Sequence, residues 1–339
     1  MDDIVVVENL HKTYGKDIVA VDGISFTVKK GEIFGFLGPN GAGKSTTIKI
    51  LTTLLEKSSG TATIDGLDID ADQVKVRRMI GYSSQEVGVD DDLTARENLM
   101  LQCSFHHIPK EKAKGKVNEL LQTIRLAEAA DRRLKTFSGG MRKRLDLASS
   151  LVSDPKILFL DEPTTGLDPQ SRQDVWEYIV KLNRGGMTIF LTTQYMEEAD
   201  RLANRLCIVD QGRIVAEGTP AELKARVGAD KITIRFKQDD LSGCEKAKEL
   251  MSKLPGIEAV GQCGDGLVAV NDLEIMTKNG SALVTQVVRA LDGAGVHVEQ
   301  LNLSVPTLDE VFLKLTGKTL NVVERKEAVG RRGRRRRRD

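Results

Sequence analysis

Ile4 to Val7, Ser25 to Val28, Ile33 to Leu37 and Thr61 to Ile64 are short apolar or alternating runs separated by turn residues. They predict a β-rich opening region. Ile33-Phe34-Gly35-Phe36-Leu37 leads directly into a glycine-rich stretch, after which Thr46 to Leu55 has helical character. From about Leu93 to Leu134, apolar positions such as Leu99, Val117, Leu120, Leu121 and Ile124 predict a mostly helical region. Ile157 to Leu160 and Thr188 to Leu191 are compact apolar runs, as in buried parallel strands, with a helix predicted around Gln170 to Lys181 between them. Ile208 to Asp210 and Ile214 to Ala216 flank Gln211-Gly212, the pattern of a hairpin.

Past about Gly228 the pattern restarts. Ile232 to Phe236, Ile257 to Val260, Leu267 to Val270 and Val296 to Leu303 read as strands, and Glu245 to Leu254 and Ser281 to Leu291 as helices. The order βαββαβ predicts a small ferredoxin-like sandwich, with Thr307 to Leu315 as a closing helix. From about Glu324 the chain has almost no apolar content, which predicts a disordered tail. The fold class expected is α/β, with a core over residues 1–227 (helical subdomain about 86–145), an α+β accessory domain over 228–318 and the tail over 319–339.

Composition changes this picture little. A chain of 339 residues is long enough for two domains, each with its own core. The net charge of +1 hides an asymmetry: seven arginines and one aspartate in 331–339 give +6, which leaves −5 for the rest. A mildly acidic body argues against a nucleic-acid binder. The tail itself admits adhesion to anionic lipid headgroups, non-specific nucleic-acid contact, or no role beyond solvation. Cys103, Cys207, Cys244 and Cys263 lack CxxC spacing and read as free thiols in a reducing compartment. Cys103 with His106 and His107 lacks a second ligand pair, so zinc is not expected. Met1-Asp2-Asp3 does not open a secretory signal, and no run approaches the about 18 apolar residues of a spanning helix. Any membrane pathway associated with this protein is therefore expected in another chain.

Three short tracts carry the chemistry. Gly38-Pro39-Asn40-Gly41-Ala42-Gly43-Lys44-Ser45 fits the phosphate loop G-x-x-x-x-G-K-[ST] in the strand–loop–helix context that motif requires. Its glycines let successive backbone N–H groups converge on phosphates. Lys44 supplies charge near the β- and γ-phosphates, Ser45 a hydroxyl for Mg²⁺, and Thr46 begins the helix whose positive end faces the phosphates. The Ile157–Leu160 run carries Asp161 and Glu162 to the C-terminal edge of the sheet, where open α/β folds bind ligands. Asp161 suits the metal, and Glu162 suits the general base that polarises water. Ser138-Gly139-Gly140 opens a helix bearing Met141, Leu145, Ala148 and Val152, and forms a second anion site. One protomer already has its phosphate loop, so a second such site suggests a nucleotide shared by two chains packed head to tail.

Phe137-Ser138-Gly139-Gly140-Met141, just upstream of Leu158-Phe159-Leu160-Asp161-Glu162 and combined with the phosphate loop, resembles the ATP-binding subunit of an ABC transporter over about residues 4–220. The resemblance implies ATP and Mg²⁺ as cofactors, a membrane permease as partner, a head-to-tail homodimer and a peripheral place on the cytoplasmic face of the cell membrane. It implies that Tyr14 stacks on adenine, with a plain loop tyrosine as the other reading. Gln85 would sense Mg²⁺ and contact the permease. Ser138, Gly139 and Gly140 would complete the partner's ATP site, and Asp168 would lie in the loop coupling the two sites. Phe137 and Met141 replace the usual Leu and Gln, and Gln194 stands where the family has a switch histidine. Glutamine donates an uncharged hydrogen bond but carries no proton. Gln194-Tyr195-Met196-Glu197-Glu198-Ala199-Asp200 and Thr307-Leu308-Asp309-Glu310-Val311-Phe312 are similar to the daunorubicin-resistance type, associated with efflux of drugs or other amphipathic molecules. A non-transport member acting on ribosomes or DNA, a regulatory ATP-holding module and an importer ATPase are the rival readings.

Overall fold

The computed structural model describes residues 2–236, 241–261 and 272–317. β1 (Asp3–Tyr14) and β2 (Ile18–Lys29) pair antiparallel, and β3 (Ile33–Leu37) then leads into α1 (Lys44–Leu51). β4 (Ser59–Ile64) and β5 (Leu67–Asp68) complete an antiparallel sheet in the order β2-β1-β4-β5. Next come α2 (Gln73–Met79), β6 (Ile80–Ser83), α3 (Ala95–Phe105), α4 (Lys110–Thr123) and α5 (Gly139–Ser150). They are followed by β7 (Ile157–Asp161), α6 (Pro169–Arg184), β8 (Thr188–Thr193) and α7 (Met196–Leu202). β9 (Arg205–Asp210), β10 (Arg213–Gly218) and α8 (Pro220–Ala225) close the region. The second sheet runs β10-β9-β3-β8-β7-β6, parallel throughout except for the β9–β10 hairpin.

The buried strands are apolar on both faces because each face packs on a different layer. Phe34, Phe36, Phe159 and Phe190 face the antiparallel sheet; the first two and Phe190 meet Phe26 there and Phe159 meets Phe190, with ring centres 5.3 to 5.9 Å apart. Leu158, Leu160, Ile189 and Leu191, the alternate positions, face the helices and pack with Leu145, Leu147, Trp176 and Ile179. Each such fully buried side chain stabilises the fold by about 1.5–3 kcal/mol. Side-chain caps fix where the helices start: Thr94 for α3, Ser138 for α5, Asp168 for α6 and Thr219 for α8.

A third sheet follows. β11 (Asp230–Arg235), α9 (Leu241–Ser252), β12 (Ile257–Val260), β13 (Asp272–Thr277), α10 (Gly280–Gly293) and β14 (Gln300–Ser304) give the antiparallel order β12-β13-β11-β14, the ferredoxin-like arrangement. Cys244 and Met251 of α9 and Val287 and Leu291 of α10 cover Ile232, Ile234, Leu273 and Ile275. α11 (Leu308–Thr316) leaves this sheet: Leu308, Val311 and Phe312 pack among Leu37, Met196, Ala199, Ile208 and Leu223 of the larger region.

The strand expected at Leu267 to Val270 lies outside the described residues, as does the arginine tail. Among the described residues, the third strand of the small sheet is Asp272–Thr277. Its acidic residues obscured it: Asp272 is buried against Arg235 at 2.9 and 2.8 Å, and Glu274 pairs with Lys231 across the ladder. Cys103 and Cys207 are free and buried, but Cys244 is disulfide-bonded, which corrects the expectation of free thiols throughout. Among the described residues no helix is long and apolar enough to cross a membrane.

Candidate active site

The loop from Gly38 to Gly43 joins the end of β3 to α1 at the C-terminal edge of the parallel sheet. Gly43 caps α1 at φ +99°, and a Cβ there would stand 2.3 Å from the Ala20 carbonyl oxygen, so only glycine fits. Lys44 is buried beneath this loop. Its Nζ donates to the carbonyls of Gly38 (2.9 Å) and Pro39 (3.0 Å) and pairs with Glu162 Oε1 at 3.1 Å. Burial lowers the Lys44 pKa, while the Glu162 and Asp161 carboxylates pull it back up.

β7 delivers Asp161 and Glu162 beside that lysine. Asp161 Oδ1 accepts from Ser45 Oγ (3.0 Å) and from Thr192 Oγ1 (2.5 Å). The Glu162 N–H donates to both Thr192 Oγ1 and the Thr192 carbonyl at 3.1 Å, and Thr165 Oγ1 donates to Glu162 Oε2 at 3.1 Å. These bonds hold Glu162 at φ +48°, a left-handed conformation that costs a non-glycine residue on the order of 1–3 kcal/mol. Strain of this kind persists only where neighbours over-determine it, as Thr192 and Thr165 do here.

Tyr14 ends β1 at 40% exposure, its hydroxyl 3.5 Å from Thr46 Oγ1 and its ring 5.4 Å from Lys12 Nζ. An exposed aromatic face thus lies beside the phosphate loop. Pro39 is half-buried, Asn40 and Gly41 are exposed at the loop tip, and Ala42 is buried. Gln85 is exposed just past β6, whose pairing of Ser83 with Leu160 sets the following residues next to the strand end bearing Asp161. Gln194 is half-buried immediately past β8, two residues beyond Thr192.

Ser138, Gly139 and Asp168 form a second group. Ser138 caps α5 by accepting from Met141 N (3.3 Å), and Ser138 and Gly139 face outward. Gly140 lies against α6: a Cβ there would sit 2.4 Å from Ser171 Oγ. Asp168 caps α6 by accepting from Ser171 N (3.0 Å), and the Ser171 hydrogen bonds hold its carboxyl below the usual range. The Ser-Gly-Gly turn and the Asp168 loop therefore meet at Ser171.

Sequence reasoning missed several supports. Thr192 and Thr165 read as ordinary polar residues, and their role depends on contacts across the sheet. Glu198 is 0% exposed, and its Oε1 accepts from Thr164 Oγ1 (2.7 Å) and Trp176 Nε1 (2.8 Å). Burial pushes its pKa up. It ties the loop after Glu162 to α6 and α7. Among the described residues no group of three or more His, Cys, Asp or Glu is arranged to hold a metal ion.

A model of the ABC transporter family matches residues 21–165, and one described as ATP-binding protein DrrA1-3-like, C-terminal domain, matches residues 218–316. The daunorubicin resistance ATP-binding protein DrrA2 of Streptomyces coeruleorubidus is 43% identical over 328 residues, 95% of this chain and 98% of that protein. The linearmycin resistance ATP-binding protein LnrL of Bacillus subtilis is 40% identical over 317 residues, 92% of this chain and 98% of that one. Among solved structures, a dimeric ATP-binding cassette in a post-hydrolysis state, bound to ADP and Pi, matches at TM-score 0.58 and 28% identity, over 63% of this chain and 98% of that one. With these two matches and with relatives 40–43% identical over more than nine tenths of its length, the chain belongs to the ABC-transporter ATP-binding subunits of the daunorubicin/doxorubicin-resistance type.

Proposed function

We propose that this ATPase works as a head-to-tail dimer at the cytoplasmic face of a membrane, energising a separate permease that exports drugs or other amphipathic compounds. The observation that carries the catalytic part is the unbroken set of contacts Ser45–Asp161–Thr192–Glu162–Lys44 at the ends of β3, β7 and β8. Lys44 neutralises phosphate charge. Glu162, fixed by Thr192 and Thr165, takes the proton of the attacking water as general base. Tyr14 offers its exposed ring to adenine.

Ser45 and Asp161 present hydroxyl and carboxylate oxygens to one point, a hard donor set that fits Mg²⁺, and Gln85 adds an amide oxygen from the next strand end. The ion, when bound, neutralises charge on the β- and γ-phosphates. Ser138 and Gly139, outward-facing at the start of a 12-residue helix, would reach the γ-phosphate held by the second chain, with Asp168 beside them. Gln194 would donate an uncharged hydrogen bond to the same phosphate. ATP binding closes the dimer, hydrolysis reopens it, and the motion reaches the permease through the Gln85 loop and the helices beyond it. Support for the exported class comes from the resistance functions named for the relatives.

The test is Mg²⁺-dependent ATP turnover of the full chain, wild type beside Glu162→Gln, with and without membranes from cells expressing the transporter. The reading expects the variant to bind ATP but to lose turnover, and membranes to stimulate the wild type. Equal turnover in the two proteins refutes the role of Glu162.

A further inference from the structure

A second buried polar cluster lies on α5, one turn beyond the Ser138 cap. Lys143 and Asp146 are only 3% and 7% exposed. Lys143 Nζ donates to the Ser84 carbonyl (2.7 Å) and Ser83 Oγ (3.1 Å) and stands 3.4 Å from Asp146 Oδ2. Asp146 Oδ2 accepts from Ser83 Oγ at 2.5 Å, and Oδ1 accepts from the Gly88 N–H at 3.0 Å. The two side chains thus grip the chain on both sides of Gln85, at Ser83 and Ser84 before it and at Gly88 after it.

Burying an ion pair is a poor way to gain stability, because desolvation offsets most of the attraction and apolar side chains of similar size serve as well. Burial in fact lowers the Lys143 pKa, against the upward pull of Asp146. What the pair provides is geometry. Its bonds reach specific atoms of a loop that contributes few apolar anchors of its own, since residues 85–88 are exposed.

We propose that Lys143 and Asp146 are positioning residues that tether the Gln85 loop to α5, so that this loop and the Ser138 turn at the head of the same helix move as one rigid piece. Contact of the turn with a nucleotide on the partner chain is thereby transmitted to the loop that faces the metal and the permease. The proposal rests on the role given to Gln85 above.

The experiment uses the full chain and three variants. Lys143→Met combined with Asp146→Leu replaces the pair by apolar groups that keep the site filled, Gln85→Ala removes the tethered side chain, and the third carries all these changes. Hydrogen exchange of peptides spanning 84–88 reads the tether directly; it should quicken about tenfold in the pair variant while the α5 amides stay protected. Mg²⁺-dependent turnover should fall about tenfold or more in the pair variant. It should fall no further in the triple variant than in Gln85→Ala, because both changes remove one interaction. Should the pair variant fail to fold, Asp146→Asn, which keeps an oxygen for the Gly88 N–H, is expected to show the same pattern at reduced size. Unchanged exchange overturns the tether. Losses that multiply show that the pair and Gln85 act independently and overturn the link between them. Wild-type turnover in Gln85→Ala removes the role of Gln85, and with it the functional half of the proposal, while exchange still decides the tether.

Discussion

Replacing Thr192 by Val isolates the hinge of the site. The side chains are nearly isosteric and both suit a strand, so neither a cavity nor a backbone change is introduced. The threonine is fully buried, and its hydroxyl donates to Asp161 Oδ1 at 2.5 Å. That is a charge-assisted bond, whose loss costs about 1.5–3 kcal/mol. The Glu162 N–H is not orphaned, because it also donates to the Thr192 carbonyl at 3.1 Å. The expected loss of stability therefore stays within about 1.5–3 kcal/mol. Thr192→Ser keeps the hydroxyl and gives up one methyl, about 0.8 kcal/mol. Urea denaturation followed by circular dichroism measures both, with the midpoint falling at an unchanged slope. Among the described residues Asp161 then keeps Ser45 as its remaining side-chain hydrogen-bond donor, so the Mg²⁺ concentration for half-maximal turnover should rise in the valine variant and not in the serine one. A valine variant as stable as the serine variant would refute the argument that Thr192 holds Asp161.

Other predictions follow from the same geometry. Glu198 is protonated more readily in the folded chain than its ordinary value of 4.5, so folding stability falls as pH rises above about 4.5 and is fully retained below it. Glu198→Gln removes that slope, and the gain over wild type in denaturation midpoint should grow from pH 5 to pH 8 (about these limits) and vanish at about pH 4. Gly140→Ala drives a methyl group to 2.4 Å from Ser171 Oγ, so ATP binding to the chain should persist while turnover collapses, as equilibrium binding beside steady-state kinetics will show. Lys44→Ala should weaken ATP affinity itself; it also strands the buried Glu162 carboxylate, a cost of about 3–5 kcal/mol that thermal melting would register.

The parts legible in sequence are those whose chemistry is contiguous. The phosphate loop, Ser138–Gly140 and Asp161–Glu162 each form a recognisable motif within a few residues, and buried parallel strands betray themselves as unbroken apolar runs. Thr192 and Asp146 were not legible for the opposite reason. A threonine in β8 looks like any strand former, and Asp146 looks like a solvated helix position until the fold sets Ser83 and Gly88 beside it. The segment Gln73–Ser83 also went unread, since α2 and β6 are too short to establish a period. In the small sheet the order of elements was readable, but Asp272–Thr277 did not read as a strand, because Asp272 and Glu274 are satisfied by Arg235 and Lys231 on the neighbouring strand.

The most direct test of the composite site is sedimentation of Glu162→Gln with ATP and Mg²⁺, alone and combined with Gly139→Asp, which sets a negative charge at the outward-facing turn. The account predicts that Glu162→Gln sediments as a dimer retaining one ATP per chain, and that the added aspartate returns it to a monomer that still binds ATP. A Glu162→Gln chain that stays monomeric with ATP bound, or a dimer indifferent to Gly139→Asp, would contradict it.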